Sequence, residues 1–230
     1  MKTRGLFVTG TDTGVGKTLV ACGLLRAHAA RGMRVIGMKP VAAGALPEGG
    51  ALVNEDVRAL RLAGNVAAPD ALVNPYCFEP AIAPHIAAQQ AGVAIDLARL
   101  TNAFAALAAR CDRVIVEGAG GFRVPLGPSW DTSDLARALD LPVVLVVGMR
   151  LGCINHALLS ADAVRAAGLT LAGWVANHVD PALACADENV AALGERLRAP
   201  MLARVAFGEN SAPELIARRL NLESLQETSA

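Results

Sequence analysis

Short runs in which nearly every position is apolar recur along the chain, separated by longer stretches of helical composition. The runs fall at 5–9, 34–38, 111–116, 143–148, 171–175 and near 201–205. A strand apolar at both odd and even positions is covered on both faces, which is the signature of a parallel sheet rather than a half-solvated antiparallel one. Between the runs the pattern predicts helices over 17–31, from Asn54 onward, over 95–110, 134–139, from 153 to 167, over 182–197 and over 213–220. Gly32 and Gly168 stand where a helix stops, and Asn54 and Ser133 where one starts. Regular alternation of strand and helix predicts an α/β fold, with a mostly parallel central sheet, right-handed crossovers and helices on both faces.

Three stretches break the rhythm. Residues 39–44 read as a turn at the carboxyl edge of the sheet, and 46–50 as a short Pro/Gly loop. Pro69, Pro75, Pro80 and Pro84 interrupt 68–85 repeatedly, which suits an irregular ligand-facing segment, with His85 a helix-start residue.

The strongest chemical signal is Gly10 to Thr18, GTDTGVGKT, between the first apolar run and the first helix. A glycine-rich turn opening a helix points successive backbone N–H groups inward, and the helix adds its own unpaired donors and positive dipole end. Lys17 then reaches the outer phosphates, and the Thr18 hydroxyl ligates magnesium. The usual P-loop pattern places its first glycine where this chain has Thr11, so the loop is extended by one residue. The second signal is the strand ending at Glu117, followed by Gly118, Gly120 and Gly121. An acid delivered at a strand's carboxyl end downstream of a P-loop is the arrangement that holds a phosphate-bridging magnesium.

Four further positions carry weaker signals. Lys39 ends the second strand, beside the expected phosphate site. Asp56 lies in a helix's first turn, where acids usually only answer the dipole. Residues 152–155 open a helix whose free N–H groups suit a carboxylate or phosphate, while Arg150 and His156 nearby read equally well as solvated. Asn177 ends a strand and its amide suits a nucleobase edge; Asp180, although spaced as in the guanine-reading motif of GTPases, is assigned no role.

Composition narrows the class. In 230 residues the chain is 53% hydrophobic, 18% charged and 3% aromatic, which describes an aliphatic globule with no linker, hence one domain spanning 1–230. Lys plus Arg and Asp plus Glu balance at 21 each, so no overall field attracts nucleic acid or a membrane. The longest strongly apolar stretch, 141–149, falls far short of the roughly 20 residues of a bilayer span. No export signal is expected, and five widely spaced cysteines without a CxxC pair argue for a reducing cytoplasm and against a disulfide framework or structural zinc.

GTDTGVGKT, GMKPVAAG, NPYCFEPAIAPH, VEGAGG, VVGMRLGCINHA and LAGWVAN, in this order, resemble the dethiobiotin synthetase family over roughly residues 5–180. The resemblance implies a homodimeric ligase that uses ATP, magnesium and CO2 to close the ureido ring of 7,8-diaminopelargonic acid. It implies catalytic roles for Lys39, Lys17 and Thr11. The nucleotide would meet Asp12, Thr13, Gly14, Val15, Gly16, Lys17, Thr18 and Leu19, with Asn177 reading adenine. Magnesium would meet Thr18, Asp56 and Glu117, which replaces the plain reading of Asp56. The substrate would meet Thr11 and Lys39, and its distal carboxylate Gly152, Cys153 and Asn155 across the dimer interface. Ala43 stands where the family often has serine, and Gly14 where some members have glutamate. A switch ATPase of the partitioning type is the nearest rival, but it carries a lysine where this chain has Asp12. A degenerate nucleotide-binding module without chemistry sits badly with intact Lys17, Thr18 and Glu117.

Overall fold

The computed structural model describes residues 5–208 and 213–225. In chain order the strands are β1 Gly5–Gly10, β2 Val35–Met38, β3 Val41–Ala43, β4 Leu46–Glu48, β5 Ala51–Val53, β6 Tyr76–Phe78, β7 Arg113–Glu117, β8 Val143–Met149, β9 Leu171–His178 and β10 Met201–Val205. The helices are α1 Lys17–Ala29, α2 Glu55–Ala63, α3 Asp70–Val73, α4 Pro84–Gln90, α5 Leu97–Ala108, α6 Thr132–Leu139, α7 Cys153–Ala166, α8 Ala186–Arg196 and α9 Pro213–Arg219. Six strands make one sheet in the order β10-β9-β8-β1-β7-β2, with every adjacent pair parallel.

The apolar runs are explained by two cores, one on each face. Phe7, Val116, Leu145 and Val147 point into one with residues of α5, α6 and α7; Leu6, Val8, Ile115, Val144 and Val146 point into the other with α1. Alternate residues of one strand thus serve opposite cores, so no position along the run can be polar without cost. β1 lies between β7 and β8, which puts the loop after it at the middle of the sheet's carboxyl edge, where ligands of open α/β sheets collect.

Where the sequence pattern predicts a turn and an irregular segment, the chain pairs with itself. β3 and β6 run parallel, from Val41 opposite Tyr76 to Ala43 opposite Phe78. The prolines bracket this three-residue strand without interrupting it, and Asn74 ties it down by donating to the Lys39 and Tyr76 carbonyls at 2.6 and 2.9 Å. The expected loop 46–50 belongs to an antiparallel hairpin of β4 and β5. Its turn residues Gly49 and Gly50 have φ of 60° and 83°, the left-handed pair that a tight two-residue hairpin demands.

Two helix starts differ from expectation. Asp131, not Ser133, caps α6: its carboxylate accepts from the Ser133 N–H at 2.8 Å while Asp134 accepts from the Asp131 N–H at 2.9 Å. This reciprocal box satisfies two donors where a lone serine satisfies one. α8 starts at Ala186 instead of 182, after Cys185 adopts φ 52°. β9 runs on to His178, so Asn177 is a strand residue. α9 lies on α1 at Gly23, where a Cβ would come within 2.7 Å of Ile216 Cγ2. Among the described residues no helix is long and apolar enough to cross a membrane.

Candidate active site

The β1–α1 loop is shaped by its glycines and by a plug beneath it. Val15 is buried and packs where a Cβ on Gly10 would come within 2.6 Å of its Cγ2. Gly16 caps α1 with φ 91°, and a Cβ there would lie 2.3 Å from Asn177 Nδ2. Only glycine tolerates both that torsion and that approach. Asn177, 1% exposed, braces the loop by donating from Nδ2 to the Val15 carbonyl at 2.8 Å. Its Oδ1 is buried with no hydrogen-bond partner among the described residues. Thr11 is held by the neighbouring strand: its N–H donates to the Val146 carbonyl at 3.0 Å and its Oγ1 accepts from the Gly148 N–H at 3.3 Å. Leu19 turns into the core under α1.

Lys17 folds back within the loop, donating to the Asp12 carbonyl at 2.8 Å. Burial, together with the neighbouring charge of Lys39, pushes its ammonium down to about 8. Thr18 Oγ1 lies 2.9 Å from both Asp56 Oδ1 and Glu117 Oε1, and its single proton serves one of them at a time. Lys39 Nζ lies 2.8 Å from Asp56 Oδ2 and 2.5 Å from Glu117 Oε1. Burial pulls Lys39 down, but the two carboxylates outweigh it and its ammonium is held above the usual lysine range. For Asp56 burial likewise opposes, and Lys39 wins, holding the carboxyl below its ordinary value.

Three distant segments build this cluster. β7 delivers Glu117, β2 ends one residue before Lys39, and Asn54 caps α2 by accepting from the Asp56 and Val57 N–H groups, which fixes Asp56 in the first turn. The Asn54 Nδ2 also donates to the Ala43 carbonyl at 3.2 Å, tying α2 to β3. Two carboxylates and a hydroxyl suit magnesium, which keeps waters and phosphate oxygens for its remaining positions. Glu117 Oε2, buried and without a partner among the described residues, is an acceptor that such a cation would satisfy. Among the described residues no group of three or more His, Cys, Asp and Glu gathers as a metal cage.

A cavity of about 810 Å³ opens here, lined by Asp12, Thr13, Gly14, Gly16, Lys17 and Thr18 from the loop, and by Lys39, Asp56 and Glu117 opposite. Ala43 and residues 81–84 form another wall, so the proline-rich segment does face the site. Thr11, Val15, Leu19 and Asn177 stand behind this lining, as supports of the loop. Gly152, Cys153 and Asn155 do not line it either. Gly152 has φ 92° as the cap of α7, Cys153 is buried, and Leu151 beside them is 93% exposed. One contact missed by the sequence reading joins the two regions: Arg150 pairs with Asp12. Nothing in their spacing, 138 residues apart, signals it.

The AAA domain family matches residues 4–214 of the chain. A protein of Aromatoleum aromaticum named ATP-dependent dethiobiotin synthetase BioD is 54% identical over 219 residues, covering 95% of this chain and 97% of that one. A protein of Nitrosospira multiformis with the same name is 56% identical over 207 residues, covering 90% of each. The chain belongs to the ATP-dependent dethiobiotin synthetase family. The family explains why the matched motifs run well beyond the phosphate loop. Solved structures show how far the fold alone reaches. A ParA family ATPase of Chlorobium tepidum superposes with a TM-score of 0.54 at 14% identity, covering 95% of this chain and 90% of its own. The MinC:MinD cell division complex of Aquifex aeolicus gives 0.56 at 16%, covering 98% and 99%. Those two share the architecture of the rival considered from sequence, and at such identity they speak for the fold only.

Proposed function

We propose that this chain, an ATP-dependent dethiobiotin synthetase by family, builds the ureido ring from 7,8-diaminopelargonic acid and CO2 through a carbamate and a carbamic-phosphoric anhydride. One substrate amine adds to CO2 and loses a proton. The carbamate oxygen attacks the γ-phosphorus and ADP leaves; the second amine then attacks the carbamate carbon, phosphate leaves and the ring closes. The observation that carries this reading is the convergence of Lys17, Lys39, Thr18, Asp56 and Glu117 on one cavity. Phosphoryl transfer asks for positioning and charge neutralisation more than for a protein nucleophile, and these groups supply both.

In this reading the loop N–H groups of residues 12–18 and the Lys17 ammonium hold the β- and γ-phosphates. Lys39 neutralises charge between carbamate and γ-phosphate. Thr18, Asp56 and Glu117 would hold magnesium, which would offset the charge developing on the phosphate oxygens. Asn177 serves the base side from beneath the loop, by bracing the Val15 carbonyl. The α7 start at Gly152, Cys153 and Asn155 lies outside its own chain's cavity, as expected of a segment that serves the substrate carboxylate of a second copy in a homodimer. The exposed Leu151 beside it suits burial there. The chain works as one domain in the cytoplasm.

The test is ATP hydrolysis with bicarbonate, with and without the diamine, coupled to mass detection of the cyclic urea. Diamine-dependent ADP release matched one to one by dethiobiotin is expected. ATP turnover indifferent to the diamine would overturn the reading.

A further inference from the structure

The phosphate loop carries an acid of its own. Asp12 lines the large cavity beside Lys17, and its Oδ1 accepts from the Thr13 N–H at 2.7 Å. That N–H belongs to the row of loop donors that a phosphate would use. The Thr13 bond is also the main reason the Asp12 carboxyl is held below its ordinary value; burial opposes it, and the charges of Arg150 and His156 add to it. At neutral pH the loop therefore presents a negative charge at the rim of a site built for anions. Left alone, that charge would repel a triphosphate and compete with it for the Thr13 N–H.

Arg150 answers it from outside the cavity lining. The stem of the loop is zipped to β8: Gly10 lies opposite Val146, the Thr11 N–H donates to the Val146 carbonyl at 3.0 Å, and the Gly148 N–H donates to Thr11 Oγ1 at 3.3 Å. Just past the ends of these two paired strands, Asp12 and Arg150 emerge side by side. The guanidinium takes Asp12 Oδ2 while Thr13 takes Oδ1, so both carboxylate oxygens are engaged. The pair is 41% and 49% exposed, which leaves it little to do for the fold.

We propose that Arg150 is a positioning residue for the phosphate loop: by neutralising and anchoring Asp12, it keeps that carboxylate from opposing the triphosphate. The proposal rests on the reading of Gly10 to Thr18 as a triphosphate site. Removing Arg150 leaves the carboxylate uncompensated; removing the carboxylate as well takes away what Arg150 neutralises, so the two changes offset one another instead of adding. An arginine that attracted the nucleotide directly would leave the effect of Asp12→Asn the same with or without Arg150. A merely structural pair would leave Asp12→Asn nothing to change once Arg150 is gone.

Calorimetry of the full-length protein with Mg2+ and the non-hydrolysable analogue AMP-PNP, without the diamine, separates these cases. Arg150→Ala is expected to weaken binding about fivefold, and Arg150→Lys, which keeps the charge, to recover most of the loss. Asp12→Asn is expected to tighten binding about fivefold in the Arg150→Ala background and by less than half that factor in wild type. Equal factors in the two backgrounds, no gain in the double variant, or a lysine variant as weak as the alanine one overturns the proposal. Lys17→Ala, which leaves the Arg150–Asp12 ion pair in place, is expected to abolish binding. Wild-type affinity in Lys17→Ala removes the triphosphate reading itself, and this proposal with it; loss of binding there with no gain in the double variant removes the role of Arg150 alone.

Discussion

Two buried lysines, Lys17 and Lys39, face one cavity and are held in opposite ways. Lys17 leans on its own loop, five residues back, through a neutral carbonyl, and burial drives it toward the uncharged form at about 8. Lys39 leans on carboxylates 17 and 78 residues away, and they keep it charged despite deeper burial. The difference is one of dependence. Lys17 gains its full stabilisation only when an anion arrives, so it suits a phosphate sensor; Lys39 is charged beforehand and suits a group that must neutralise charge on demand.

The sharpest way to break the comparison is to remove each lysine in turn. Lys39→Ala is expected to lower dethiobiotin formation by about 10³-fold or more while the ATP dissociation constant, read by calorimetry, changes little. Lys17→Ala is expected to lose both. A near-normal rate in Lys39→Ala would end its catalytic role. Next in size, Glu117→Ala strands the Lys39 ammonium beside Asp56 alone in a buried site, and urea denaturation should show a loss of about 3 kcal/mol. Asp56 is 41% exposed on its side chain, so its removal is milder for stability. Asp56→Ala is instead expected to raise the magnesium concentration for half-maximal activity about tenfold.

The pH dependence sharpens the contrast further. Lys17 is depressed in the folded protein, so its ammonium is disfavoured there; this penalty on folding is present at pH below about 8 and disappears as pH rises toward the unfolded value of 10.5. Phosphate binding reverses the preference and draws a proton in. ATP affinity should therefore fall up to about tenfold per unit above pH 8, with proton uptake visible as a buffer-dependent calorimetric enthalpy. Lys39 should add nothing to that slope in the same range. The smallest expected effect is Arg150→Ala: its pair with Asp12 is 41% and 49% exposed, and the melting curve should move by no more than about 1 kcal/mol.

Much of this was legible along the chain because the relevant physics is local. The β1–α1 loop needs glycines at fixed offsets for its torsions, so Gly10 to Thr18 announces itself. Doubly buried strands must be apolar throughout, so the sheet's members stand out, and Asn54 caps α2 with atoms two and three residues on. Short strands were less legible. Three residues such as Tyr76–Phe78 are too few to show a period, and the prolines around them read as interruption when they are borders. Asp131 and Ser133 are both good caps, and only the geometry of Asp134 decides between them.

By itself the sequence determined the phosphate loop, the parallel order of strand and helix, and, through motifs shared with a family, the chemistry. These follow from backbone torsion and burial, which act between neighbours. The tertiary structure alone decided that Asp56 shares Lys39 with Glu117, that Asn177 braces the loop at Val15, and that α9 lies on α1 at Gly23. Electrostatic and packing contacts between residues so far apart in the chain exist only once the sheet has brought the strand ends together, and no spacing along the chain encodes them.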